Sequence, residues 1–265
     1  MRALLPLLLL AAAPPAPTRV RTPGGSPPAP LTTAERAAAL EVAANYARLF
    51  GEAVPAGGLR VSAAGRVALP MAEELSPEAI AAAWAREQLD TPTRREKATV
   101  ARGPQGAYTH FLGTDPPGSD LWGEPWAIIG FLELAAGWQR HCAALLPPAE
   151  RGRCALQVGD FSWYEDRRPD PLGHKDHRGG CLDLRLFRTD GSEYEAWWDR
   201  PDDRPAFAAA GGGYDRALTA AFVRYAIDAH SVPELYFNDP QVVGAVALPG
   251  HDDHVHICLR RPVLP

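Results

Sequence analysis

The sequence predicts an α+β fold, a central and mainly antiparallel sheet with flanking helices, preceded by a small helical N-terminal region. Three observations support this. His254-Val255-His256-Ile257-Cys258 and Cys181-Leu182-Asp183-Leu184-Arg185-Leu186-Phe187 alternate residue types with the period of two that a half-buried strand requires. Trp126 to Arg140 and Tyr214 to His230 repeat their apolar residues at helical spacing instead. The order in which these helices and strands follow one another gives an α+β domain with helices on one side of the sheet. The chain of 265 residues is long enough for one large or two modest domains, and 46% apolar with 22% charged residues is ordinary for a globular enzyme. A net charge of -5 and a pI of about 5.9 argue against a nucleic-acid partner.

Residues 1-17 read as an export signal, with Arg2 as the positive start and Leu4 to Ala13 as a short apolar run. That run is about half the ~20 residues a membrane helix needs, so no stable membrane insertion is expected. The expected location is the periplasm or cell envelope. Residues 18-31, rich in Pro, Gly and Ser, are expected to form a flexible linker. A helical region is expected over 32-115. Thr32-Thr33-Ala34-Glu35 is a capping-box pattern opening a helix that runs to Phe50, and Ser76-Pro77 caps a second one reaching about Leu89. His110 stands alone there and reads as a surface or core residue.

The remaining residues, 116-265, carry the chemistry. The helix from Trp126 to Arg140 presents Ile129, Leu132, Leu134 and Trp138. Cys142 and Cys154 bracket a Pro-rich loop and form the natural local disulfide of an exported protein. Ala155 to Val158 is a short strand, and Gly159-Asp160 is expected to open a loop, with Asp160 either a second acceptor behind a metal ligand or a turn cap. After a polar excursion through Trp197 and Trp198, the helix ending at His230 shows Leu218, Phe222, Tyr225 and Ala229 as one stripe, and His230 reads as its cap. Glu234 to Phe237 returns as a strand, and Val242 to Leu248 leads to the last strand.

Three of the eight histidines fall within six positions, His251, His254 and His256, and alternation puts His254 and His256 on one strand face. Upstream, His174, His177 and Asp183 supply a second histidine pair and a carboxylate. Two imidazoles and one carboxylate match a catalytic zinc site, where three protein ligands leave a position open. The expected ligands are His177, Asp183 and His256, with His254 as the base. If Asp183 and His256 sit on neighbouring antiparallel strands, Cys181 and Cys258 fall opposite each other and within disulfide reach.

Over roughly Trp122 to Arg260 the chain resembles the penicillin-insensitive murein endopeptidases, zinc peptidases related to the D-Ala-D-Ala dipeptidases and hedgehog-type domains. Four segments carry the likeness: Val158-Gly159-Asp160-Phe161-Ser162, Gly173 to Gly191, Leu235-Tyr236-Phe237-Asn238-Asp239-Pro240, and Gly250 to Leu259. The resemblance implies His177, Asp183 and His256 as zinc ligands, His254 as catalytic base, and His174 and His251 as further active-site histidines. It departs in one place. The family sets its first ligand seven positions before the aspartate, whereas His177 stands six before Asp183, and the seven-residue spacing falls on Asp176. A one-residue deletion in the glycine-rich turn keeps His177 as the expected ligand.

The implied function is zinc-dependent hydrolysis of peptide cross-links, with peptidoglycan stem peptides as partner. Zinc would lower the pKa of its water to roughly 7 and polarise the scissile carbonyl. Two alternatives remain open at this stage: a carboxypeptidase or dipeptidase of the same group, and an inactive wall-binding pseudo-enzyme.

Overall fold

The computed structural model of the chain describes residues 13–20, 28–74, 99–111, 121–162, 179–191, 213–230 and 232–262. The expected second helix near Ser76, the tryptophan-bearing excursion, most of the export signal and the segment holding His174, Asp176 and His177 lie outside the described residues.

Helix α1 (Thr33–Phe50) begins where the sequence expects. The Thr32 side chain accepts from the Glu35 N–H and the Glu35 carboxylate accepts from the Thr32 N–H, satisfying two of the donors that a helix start leaves without partners. Gly51, at φ 73°, ends it and donates its N–H to the Ala47 carbonyl. Helix α2 (Pro125–Leu145) is longer than the predicted span at both ends, and ten of its residues are buried, Phe131, Leu132 and Trp138 among them. Helix α3 (Arg216–His230) buries Leu218, Thr219, Phe222, Val223 and Ala226. Its buried stripe therefore turns away from Ala229, which is exposed.

The strands are β1 (Thr18–Arg19), β2 (Arg60–Val61), β3 (Val67–Ala68), β4 (Glu73–Glu74), β5 (Thr99–Arg102), β6 (Tyr108–Phe111), β7 (Trp122–Gly123), β8 (Leu156–Asp160), β9 (Cys181–Arg185), β10 (Glu234–Tyr236) and β11 (His254–Cys258). Among the described residues they form two sheets, one ordered β1-β2-β3-β7 and a larger one ordered β10-β11-β9-β8-β6-β5-β4. In the larger sheet only β6 and β8 run parallel. The α+β class is the one the sequence predicts.

The described residues of 32-115 carry strands as well as the expected first helix. They hold α1 but also β2 through β6, and β4 to β6 extend the same sheet that carries the histidines. These strands are two to four residues long, too short to show alternation above the background of turns. The expected linker is likewise anchored at its start. Thr18–Arg19 pairs parallel with Arg60–Val61, and the Arg19 guanidinium binds both Glu35 and the Ser62 carbonyl.

One core joins the elements. Phe50, Tyr108, Phe131 and Phe161 contact ring to ring from α1 through β6 and α2 to the end of β8. Trp138 continues the line toward α3 through Phe187 and Phe222. α2 thus packs between α1 and α3 and backs the sheet. His110, on β6, is one of the buried residues of this interior.

Candidate metal and catalytic site

β9 and β11 pair antiparallel with His254 opposite Arg185, His256 opposite Asp183 and Cys258 opposite Cys181. Opposed residues share a face, so the intervening Leu182, Leu184, Val255 and Ile257 all point into the core, where all four are buried. Packing those apolar side chains fixes the register, because a slip of one residue would turn the polar set into the apolar core instead. The polar face carries the chemistry. On β10, Tyr236 stands opposite His256 and extends the row.

A bulge adds a fourth member. Val158 pairs with Leu184 while Asp160 pairs with Asp183, so two steps on β8 match one on β9. Without the extra residue Asp160 would share the core-facing side of Val158; the bulge re-aims it beside Asp183. Gly159 makes this possible, since a Cβ there would lie 3.3 Å from the Asp183 carbonyl oxygen. Gly159-Asp160 is therefore the end of a strand rather than the expected opening of a loop.

Asp183 Oδ1 lies 2.9 Å from His256 Nδ1, and Asp183 Oδ2 lies 3.5 Å from His254 Nε2. His254 Nδ1 is 2.8 Å from Asp253 Oδ1, and Asp253 accepts from Arg185 at 3.1 Å. His251 closes the group, its ring centroid 4.9 Å from that of His254 and 5.5 Å from that of His256. Tyr236 flanks both His251 and His256 at 5.6 Å. Asp183, His254 and His256 are all buried.

The charges follow from these neighbours. Burial works against the charged form of His254, but the Asp183 charge and the hydrogen bond and charge of Asp253 outweigh it, so its pKa is raised. His251 is pushed the other way, by burial first and then by the His254 charge, and favours the neutral ring. Its Nδ1 faces the Leu248 carbonyl at 3.2 Å and donates to it, which leaves Nε2 as an acceptor. The turn bearing His251 is pinned by Asn238, whose backbone N–H donates to the His251 carbonyl and whose side chain donates to Asp252.

Both predicted disulfides are present, Cys142–Cys154 and Cys181–Cys258, the second spanning the β9–β11 pair with Cα atoms 4.0 Å apart. Cys142 lies in α2 and Cys154 ends a 3-10 turn, so the bridged segment is more regular than a loop. Cys258 Sγ lies 3.4 Å from His256 Nε2. Cys181, His256 and Cys258 are a buried group whose ligand atoms lie within 4.8 Å of one another, a set that could hold a metal ion. While the two sulfurs are bonded to each other, they have no thiolate to offer.

The two ring nitrogens of His256 face different acceptors, the Cys258 sulfur at Nε2 and the Asp183 carboxylate at Nδ1. A carboxylate is much the stronger acceptor, so Nδ1–H donates to Asp183 Oδ1. A metal that displaced that proton would meet Nδ1 and Oδ1 as two ligand atoms 2.9 Å apart. Ligand atoms about 2.0 Å from a tetrahedral zinc stand about 3.3 Å apart, so Asp183 and His256 fit two corners of such a site with a small opening.

The structure thus brings together Asp183, His251, His254 and His256 of the predicted set. His174 and His177 lie outside the described residues. Tyr236 and Asp253 escaped the sequence reading of roles, although Tyr236 lies in a segment that carries the resemblance. The chain matches no protein-family model and no curated protein sequence. No described helix is long and apolar enough to cross a membrane, and the two disulfides are of the kind that persist in an oxidising compartment.

Proposed function

We propose that this chain is a zinc-dependent hydrolase of peptide cross-links in peptidoglycan, acting in the cell envelope. The observation that carries the reading is the Asp183 carboxylate facing the His256 Nδ1 at 2.9 Å, with His254 within reach of the other carboxylate oxygen. Asp183 and His256 would hold the metal, with His177 the third ligand that the resemblance implies. Bound there, zinc would acidify a water and polarise a carbonyl.

The chain's own residues then have distinct tasks. Asp253 holds Nδ1 of His254, so Nε2 is the nitrogen that meets the site and can take or return a proton. Arg185 keeps Asp253 in place across the strand pair. His251, favouring the neutral ring and with Nε2 left as an acceptor, is suited to accept a hydrogen bond from a substrate N–H.

The test pairs composition with activity on one sample. Purified protein is analysed for zinc and then incubated with muropeptide dimers and monomers, the products being read by mass spectrometry. One zinc per chain and conversion of dimers to monomers, abolished by a chelator, support the reading. Trimming of monomers alone reassigns the site to a carboxypeptidase or dipeptidase. Wall binding with neither zinc nor cleavage replaces the enzyme by a binding module.

A further inference from the structure

We propose that reduction of the Cys181–Cys258 disulfide opens a second metal site, formed by both cysteine sulfurs and His256 Nε2, which competes with the Asp183 side for the His256 ring. The Cys–His–Cys site stands on its own geometry, and its competition with Asp183 rests on the metal position proposed above.

The three atoms are already assembled. Cys181 and Cys258 are directly opposed on β9 and β11, and their Sγ atoms and His256 Nε2 all lie within 4.8 Å. Zn–S bonds of about 2.3 Å and a Zn–N bond of about 2.0 Å place tetrahedral ligand atoms about 3.5 to 3.8 Å apart. The Cys258 Sγ to His256 Nε2 distance of 3.4 Å is close to that. The sulfur–sulfur bond is what closes the site. A dithiol reductant supplies two electrons and two protons, cleaving that bond to two thiols and becoming a disulfide itself. A divalent metal then displaces the two thiol protons to solvent and takes the lone pair of Nε2.

Exclusivity follows from the imidazole. A neutral ring has one lone pair, so ligation through Nε2 requires the hydrogen on Nδ1. That hydrogen points at Asp183 Oδ1, 2.9 Å away, and the aspartate changes from metal ligand to the carboxylate that orients a metal-bound histidine. Reduction therefore sets the two positions against each other, because one neutral ring cannot give both Nδ1 and Nε2 to metals.

Cobalt(II) distinguishes the states, because thiolate ligation gives a near-ultraviolet charge-transfer band that oxygen and nitrogen ligands do not. The full chain is titrated as purified and again after dithiol treatment and anaerobic desalting. The expected result is no band in the untreated protein and one band saturating at one equivalent after reduction. It should be lost in Cys181→Ser and in Cys258→Ser and retained, at weaker affinity, in Asp183→Asn, which removes the other site's carboxylate but keeps an amide oxygen to accept from Nδ1–H. A band in the untreated protein overturns the proposal. So does its absence after reduction, with or without loss of the near-ultraviolet circular dichroism, its survival in either serine variant, or its loss in Asp183→Asn. If the serine variants do not fold, alkylation of the reduced wild-type chain decides. Zinc must slow modification at Cys181 and Cys258 and leave Cys142 and Cys154 unprotected; equal protection at all four, or none, sinks the idea.

Discussion

Two regions of this molecule each combine histidines with a disulfide, and among the described residues only one of them sets carboxylates at hydrogen-bond distance from the rings. On the β9–β11 face, His251, His254 and His256 meet Asp183 and Asp253 beside Cys181–Cys258. Where α2 meets α3, His141 stacks on Tyr225 at 5.0 Å, and the Tyr225 hydroxyl lies 2.9 Å from His230 Nε2. The adjacent Cys142 is bridged to Cys154. The difference lies in what faces the rings. Carboxylates at hydrogen-bond distance favour a charged His254, whereas burial against aromatic side chains favours a neutral His230. The two clusters share residue types and differ in the carboxylates that stand beside the rings.

Removing Asp183 should break this contrast most completely. Asp183→Asn is expected to abolish bound zinc and bring muropeptide cleavage to background, while His254→Ala keeps zinc and loses about 10²–10⁴-fold in turnover. His230→Gln, at the other histidine cluster, should leave both unchanged. Zinc retained in full by Asp183→Asn, measured by elemental analysis, would remove the aspartate from the ligand set.

The disulfides should separate the regions next. Their sequence separations of 12 and 77 residues correspond by loop entropy to about 3 and about 4.5 kcal/mol. Urea unfolding of the paired serine variants measures both. Loss of Cys142–Cys154 should leave turnover per folded molecule intact, and loss of Cys181–Cys258 should lower it, because the latter bridge contacts His256.

Asp253 gives a smaller and more specific effect. It holds His254 and Arg185, neither of which is proposed to bind metal, so Asp253→Asn should keep zinc and KM while lowering kcat by about 10- to 100-fold. Asp253→Glu should recover part of that loss. A change confined to KM would make Asp253 a substrate contact instead.

Period-two alternation made the centre of this site legible. His254 and His256, like Cys181 and Asp183, are two apart, so any strand assignment puts each pair on one face, and apolar neighbours in between fix which face packs on the apolar core. The cross-strand disulfide followed from the same register. What stayed hidden depends on neighbours that spacing does not encode. The role of Asp160 rests on a bulge at Gly159, and that of Tyr236 on β10 pairing next to β11. Asp253 acquires its role from Arg185 reaching it across the strand pair. The short strands between Arg60 and Phe111 were missed because pieces of two to four residues derive their stability from the sheet they join.

The smallest effect tests the electrostatic half of the contrast. Burial lowers the folded-state pKa of His230, helped by the Arg140 charge and opposed by Glu133. Unfolding returns the ring to about 6.5, so the unfolded chain binds the proton more readily. The neutral His230 therefore contributes fully above about pH 6.5, and its contribution declines as pH falls through the lower folded value. Because the ring is only half-buried, solvent screening should hold the effect below about 1 kcal/mol. In zinc-free protein His254 should behave oppositely: its raised pKa makes its contribution complete below about pH 6.5 and lost as pH rises through the folded value. Urea midpoints of His230→Gln and His254→Gln, each subtracted from the parent between pH 5 and 8, should thus slope in opposite directions. Parallel slopes would mean that both rings sense the same environment and that the carboxylates around His254 do not set its charge.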